Sequence, residues 1–393
     1  MNVLSLFDGM SCGQQALQRA GFEVTQYFAS EIDKHAIKTT MANFPNTVQM
    51  GSVVGVDGYS LPKIDLLIGG SPCQSFSFAG KRKGMATKDE QEILTLEHYL
   101  RLKGEGFEFE GQSYLFWEYM RLLNECRTKN PNVCFLLENV EMGEKWETVL
   151  SRAIGVNGIH INSALISAQN RKRIYWTNIG LAPAGLFGDL ESIIQQPKDK
   201  GILLKHILQS EVDEKYFLSE KMLDYFKNRK ANFNGGKINI REENEKSTAI
   251  LKSSASIDIS DNFIVHNTMP RSSTTGKGGT GPLCRSDGKT YCLDTGTTNA
   301  VEIINNATYR HSFPGFNGYE EKSPTIKGSV GSGNDIILNK IRRLTPIECE
   351  RLQTVADNYT NHVSDSQRYK MLGNGWTVAV IVHILNYLKT HKK

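Results

Sequence analysis

Along the first 180 residues, short apolar runs rich in β-branched side chains alternate with stretches whose apolar positions recur at helical intervals. Val3 to Phe7, Thr25 to Ala29, Thr47 to Met50, Ile64 to Ile68, Val133 to Leu137, Ile159 to Ile166 and Arg173 to Thr177 predict strands. Residues 14–20, 34–43, 114–129 and 144–153 predict helices. This alternation predicts an α/β fold with a doubly wound, mostly parallel sheet. Residues 86–111, charged and glycine-containing, read as an insertion or mobile loop. Beyond residue 181 the pattern changes. Thr268 to Thr298 is crowded with Gly, Ser and Thr and has little helical spacing. Tyr291, Leu293, Val301, Ile303, Ile304, Tyr309 and Phe313 supply a modest core, so a smaller, loop-rich second domain is expected over 181–339. Helical signals return at Thr345-Pro346-Ile347-Glu348, a capping box with proline at the first helical position. A closing apolar helix, roughly Trp376 to Leu388, is expected to pack back on the sheet.

Composition narrows the class. A chain of 393 residues exceeds one ordinary domain, and 39% hydrophobic with 22% charged residues describes a soluble globular protein. Met1 to Asp8 meets an acid too early for a signal peptide, and no apolar run is long enough to cross a bilayer, so a cytoplasmic location is expected. Seven cysteines without paired metal spacing fit a reducing compartment, and neither structural zinc nor any other metal is indicated. The net charge of +4 is mild, so a polyanion partner must be held by local basic patches.

Four segments carry candidate chemistry. Ser71-Pro72-Cys73-Gln74 follows the apolar run Ile64 to Gly70, placing a thiol at a rigid corner past a buried strand, where open sheets bind ligands. Buried packing is the competing role for such a cysteine. Leu6 to Gly13 forms a glycine turn between first strand and first helix, suited to close backbone approach and to an anionic ligand group at the helix start. Its spacing is not Gly-x-Gly-x-x-Gly, which disfavours a dinucleotide-dependent dehydrogenase. Glu31, ending the second strand, suits both hydroxyls of a ribose or is a solvated strand-end acid; Phe7 offers a ring face to a purine or is core. Glu138 follows the most apolar central strand, where partial desolvation would raise its pKa and equip it to donate a proton. Arg171 and Arg173 alternate along a strand and face one side, either acting together or as solvated charges on an edge strand.

In order, the glycine turn, Pro72-Cys73-Gln74, Glu138-Asn139-Val140 and Gln169-x-Arg171-x-Arg173 resemble the motifs of cytosine-5 DNA methyltransferases. Arg343-Leu344-Thr345-Pro346-x-Glu348-x-x-Arg351-Leu352-Gln353 and Tyr369 to Trp376 resemble the family's last two motifs. Leu4 to Gly9 and Met371-Leu372-Gly373-x-x-Trp376 are most similar to the animal de novo members, with a prokaryotic or phage-like target-recognition lobe.

The resemblance implies a class I methyltransferase fold, with residues 1–180 and 340–393 as catalytic domain and 181–339 as target-recognition domain. It implies S-adenosylmethionine as cofactor, held by Phe7, Asp8, Gly9, Met10, Glu31, Ile32, Ser52, Val53, Asn374 and Trp376. Ser52 stands where the family usually has an aspartate that accepts from the adenine amine, a weaker acceptor in that place. Cys73 is the implied nucleophile toward a flipped-out cytosine, with Glu138, Arg171 and Arg173 holding the ring. Gln74, Lys81, Arg82 and Lys83 correspond to the loop over DNA, and Arg271, Lys277, Arg285 and Lys289 are candidate contacts of the recognition lobe. A monomer acting on double-stranded DNA in a prokaryotic cell, within or outside a restriction-modification pair, is the expected setting. A tRNA cytosine methyltransferase and a catalytically silent DNA-binding homologue are the alternatives.

Overall fold

A computed structural model describes residues 1–72, 92–109, 111–184, 189–217 and 341–390, and the backbone at 300–302. Strands β1 (Asn2–Leu6), β2 (Gln26–Ser30), β3 (Val48–Gln49), β4 (Leu66–Gly70), β5 (Cys134–Val140), β6 (Ile159–Asn162) and β7 (Lys172–Thr177) form one seven-stranded sheet in the order β3-β2-β1-β4-β5-β7-β6. The five strands from β3 to β5 run parallel, and β7 is antiparallel to both β5 and β6. The mostly parallel sheet expected from the sequence is therefore present, with one reversed strand inserted near an edge.

Alternating side chains of the central strands enter two separate cores, as period-two geometry requires. Val3, Leu66, Ile68 and Leu136 face helices α1 (Cys12–Arg19), α7 (Asp365–Asn374) and α8 (Val378–Thr390). Leu4, Leu6, Leu67, Phe135 and Leu137 face α4 (Phe116–Lys129) and α5 (Glu144–Ile154) on the other side. The first core continues through Ile194, Leu204, Ile207 and Tyr216, beyond the hairpin of β8 (Leu181–Ala184) and β9 (Asp189–Ser192). Helix α2 (Lys34–Asn43) follows β2, with the Asp33 side chain accepting from the His35 amide as its N-cap. The short pair β10 (Ala300–Glu302) and β11 (Ile341–Arg343) leads into α6 (Pro346–Leu352), which starts with the expected Thr345–Glu348 capping box. Glu348 also receives a bidentate contact from Arg342, both fully buried, at 2.7 Å on each arm.

Three expectations change. The stretch 86–111 is not simply a loop: α3 (Leu96–Gly104) forms within it, capped by Thr95 and burying Tyr99 and Leu102. Its charge density conceals the motif, because Tyr99 and Lys103 both bond to the fully buried carboxylate of Glu118 on α4. The sixth strand stops at Asn162, whose side chain accepts from the Ala164 amide and turns the chain into a single 3₁₀ turn over Ser163–Leu165. The closing helix begins at Val378, not Trp376, after the separate helix α7. No single helix among the described residues is long and apolar enough to cross a membrane.

Candidate active site

Strand order reverses at β1, whose neighbours are β2 on one side and β4 on the other, and a crevice outside the carboxyl ends of such strands is where open α/β sheets bind ligands. The turn after β1 has left-handed backbone at Phe7, Gly9 and Ser11, with φ of 56°, 59° and 61°. Such geometry is costly for Phe and Ser, of order 1–2 kcal/mol each, and persists only where the surroundings enforce it. Here the Asp8 amide donates to the Ser30 carbonyl at 3.1 Å and the Gly9 amide to Glu31 Oε2 at 2.7 Å. Glu31 Oε1 accepts from the Ile32 and Asp33 amides at 2.7 and 2.8 Å. The Asp8 carboxyl accepts from Ser11 Oγ at 2.6 Å and from Tyr27 Oη at 2.8 Å. Burial outweighs these hydroxyl bonds and pushes the Asp8 pKa up to about 6.

The turn is close-packed below and open above. A Cβ on Gly13 would lie 2.4 Å from Ile68 Cδ1 and 2.8 Å from Tyr27 Oη, so only glycine lets α1 approach the sheet here. A Cβ on Gly9 or Gly51 would meet nothing within 4 Å. Met10 is buried, and its carbonyl accepts from Tyr359 Oη at 2.7 Å. Phe7 is half-buried against the second core, Ile32 is 70% exposed, and Ser52 is exposed beside buried Val53. Thus eight of the ten residues expected to hold a cofactor, Phe7 to Met10, Glu31, Ile32, Ser52 and Val53, sit on the turns after β1, β2 and β3. Asn374 is exposed at the end of α7, and the next residue, Gly375, abuts Met10 and Cys12. The open face above Gly9 and Gly51, backed by the Asp8 and Glu31 carboxyls, fits a cationic nucleoside such as S-adenosylmethionine.

The second half of the site lies across β4, β5 and β7. In register, Gly70 pairs with Glu138, and Val140 with Arg173. Arg173 Nε lies 2.9 Å from Glu138 Oε1, with both side chains about nine-tenths buried. A Cβ on Gly70 would lie 3.2 Å from Glu138 Oε2 and 2.9 Å from Trp376 Nε1, so carboxylate, indole and the end of β4 converge. Asn139 Nδ2 donates to Ser71 Oγ at 3.0 Å, tying the acid's strand to the residue before Pro72-Cys73. Cys73 itself lies outside the described residues, as do Gln74, Lys81, Arg82, Lys83, Arg271, Lys277, Arg285 and Lys289.

The two arginines have different tasks. Strand β7 is internal, and Arg171 and Arg173 are buried while Lys172 is exposed, so solvated charges on an edge strand are excluded. Arg171 precedes the strand and donates to the Gly373 and Gly375 carbonyls at 3.2 and 2.9 Å, whereas Arg173 reaches Glu138. Gln353 Nε2 grips the same segment through the Leu372 and Gly375 carbonyls, at 2.6 and 3.1 Å. Sequence reasoning missed Tyr27 and Gln353 as supports. Tyr27 had one available signal, a hydroxyl-bearing residue in a strand otherwise read as core. Among the described cysteines, burial pushes the Cys12 and Cys126 thiols up to about 12, so both are packing. No cluster of potential metal ligands occurs among the described residues.

The family description "C-5 cytosine-specific DNA methylase" matches residues 1–390. The chain is 27% identical to the type II methyltransferase M1.ScrFI of Lactococcus lactis subsp. cremoris, over 95% of this chain and 77% of that protein. It is 28% identical to the orphan methyltransferase M.SPRI of Bacillus phage SPR, over 99% and 97% of the two chains. Among solved structures, the Entamoeba histolytica methyltransferase EhMeth superposes with a TM-score of 0.59 at 16% identity, covering 100% of this chain and 99% of that one. A Spodoptera frugiperda DNMT2 variant superposes at 0.55 and 18%, covering 99% of each chain. These likenesses and the strand order identify the class I methyltransferase fold. Matched over nearly its whole length, the chain belongs to the C-5 cytosine-specific DNA methylase family and is a DNA methyltransferase.

Proposed function

We propose that this chain methylates carbon 5 of a cytosine flipped out of a short double-stranded DNA sequence, through a covalent adduct with Cys73. The observation that carries the reading is the Glu138–Arg173 pair, at the carboxyl end of β5 and the start of the antiparallel β7, with Glu138 directly beside Gly70 on the strand that leads to Cys73. The target atom is unreachable inside a stacked duplex, so the base must leave it. The Cys73 thiolate attacks ring carbon 6, forming a carbon–sulfur bond and making carbon 5 nucleophilic. Glu138 holds the N3 edge and exocyclic amine, oriented by Arg173, which also faces the carbonyl oxygen at position 2. Arg171 acts at one remove, fixing the Gly373–Gly375 backbone beside Trp376.

S-adenosylmethionine, when bound, supplies an electrophilic methyl group on a sulfonium. Asp8, Gly9 and Met10 would cradle its amino-acid end, Glu31 and Ile32 its ribose, Phe7, Ser52 and Val53 its adenine, and Asn374 with Trp376 the remaining side. After methylation, carbon 5 gives its proton to water and the carbon–sulfur bond breaks, restoring the aromatic ring and the thiolate. Gln74, Lys81, Arg82 and Lys83 are assigned to phosphates near the flipped base, and Arg271, Lys277, Arg285 and Lys289, in the target-recognition domain of 181–339, to the groove. The protein would act as a monomer in the cytoplasm of a prokaryotic host.

Parallel incubations of methyl-labelled S-adenosylmethionine with mixed-sequence duplex DNA and with tRNA, followed by digestion to nucleosides, test the reading. Labelled 5-methylcytosine is expected from DNA. Label in tRNA alone, or in neither, refutes it.

A further inference from the structure

The turn that follows β3 is the weakest-anchored part of the cofactor cradle. Strand β3 has only two residues, Ser52 makes no capping bond, and Val54 is 43% exposed. Local bonds are confined to Gly55 and Val56 amides donating to the Ser52 and Val53 carbonyls, with Ser30 Oγ holding the Gly51 carbonyl at 2.8 Å. A single side chain from the helix packed against this turn supplies the rest. Arg121, on α4, donates Nη2 to the Val53 carbonyl at 3.1 Å and to the Val56 carbonyl at 3.0 Å.

The guanidinium is itself held. Arg121 Nε reaches Glu118 Oε2 at 2.7 Å, and Nη1 reaches Glu125 Oε1 at 2.7 Å. Glu118 is fully buried and also takes Tyr99 and Lys103 of α3, while Glu125 Oε2 accepts from the Gly58 amide at 2.7 Å. One planar fork thus spans two carboxylates and two carbonyls, a geometry that lysine cannot reproduce. A purely structural ion-pair network would need only Glu118 and Glu125. The two carbonyl bonds are directed at the segment that begins with Ser52.

We propose that Arg121 is a positioning residue for the purine end of the cofactor, fixing the turn of residues 52–56 and with it the Ser52 hydroxyl that accepts the adenine amine. The inference rests on the cofactor assignment made under the proposed function. Serine is a weaker acceptor than a carboxylate, so its contribution depends on being held in place. The expected signature is therefore loss of discrimination at the amine, not a uniform loss of binding.

Calorimetry on the full chain with S-adenosylhomocysteine and its counterpart carrying unsubstituted purine, which lacks any hydrogen-bonding group at position 6, reads this signature. The native protein should prefer the adenine form. Arg121→Lys should weaken S-adenosylhomocysteine about tenfold while leaving the unsubstituted purine compound nearly unchanged. Ser52→Ala, an exposed change that leaves the buried network intact, should abolish the same preference, and the double variant should add nothing further. Unaltered preference in either single variant overturns the proposal, as does equal weakening of both ligands by Arg121→Lys. A native protein that binds neither compound contradicts the cofactor assignment instead.

Discussion

The two halves of the site solve the same electrostatic problem in opposite ways. At the ends of β1 and β2, Asp8 and Glu31 are surrounded by hydroxyls and backbone amides, and no cation pairs with either among the described residues. At the ends of β5 and β7, Glu138 already has its cation in Arg173 at 2.9 Å. The first half is short of positive charge and suits a ligand that brings it. The second half is internally neutral and suits an uncharged ring that needs orientation and a stabilised edge. The contrast supports the proposed division of the crevice into a sulfonium side and a base side.

Perturbing the base side should have the largest effect. Glu138→Gln retains shape but loses the carboxylate, and kcat should fall roughly 10²–10³-fold, the scale seen when one electrostatic stabiliser is removed; steady-state methyl transfer checks it. Arg173→Ala strands a buried carboxylate and should destabilise the fold by about 3 kcal/mol or more, measured by urea unfolding. Retained stability in that variant would mean that Glu138 does not depend on its partner.

On the cofactor side the effects are smaller and depend on pH. Asp8 is raised from 3.8 to about 6 in the folded chain, so the native state holds this proton more tightly than the unfolded one. The resulting stability is fully present below pH 3.8 and is lost as pH rises through about 6, by at most about 3 kcal/mol. Asp8→Asn should flatten that dependence in unfolding titrations between pH 4 and about 6.5. Cofactor affinity should run the other way, strengthening as Asp8 ionises, and the same variant should erase the trend. Tyr27→Phe, which removes one hydroxyl donor to Asp8, is the mildest change, worth about 1 kcal/mol in cofactor binding by calorimetry.

The same contrast governs what could be read from the chain. The strands of β1, β4 and β5 are legible because they are apolar on both faces, and the turn after β1 because glycine marks its tight positions. Helix α3 was hidden because its buried face is secured partly by Tyr99 and Lys103 meeting Glu118, polar residues that read as solvated loop. Arg171 and Arg173 were recognisable as a pair in the motif, but the start of β7 falls between their roles, and no spacing rule separates a backbone clamp from an acid's partner. Arg121 acts across 68 residues of sequence, so only the assembled fold reveals it, and the hydroxyl of Tyr27 is a signal without an assigned partner until β2 pairs with β1.

The central claim is that the thiol beyond β4 attacks the base held by Glu138 and Arg173. Duplex DNA carrying 5-fluorocytosine lacks the proton whose loss releases the enzyme, so incubation with S-adenosylmethionine should trap a covalent complex. Peptide mass mapping should locate the bond on Cys73, and Cys73→Ala should form no complex and transfer no methyl group. A bond on another cysteine, or DNA methylation by the alanine variant, would contradict the account.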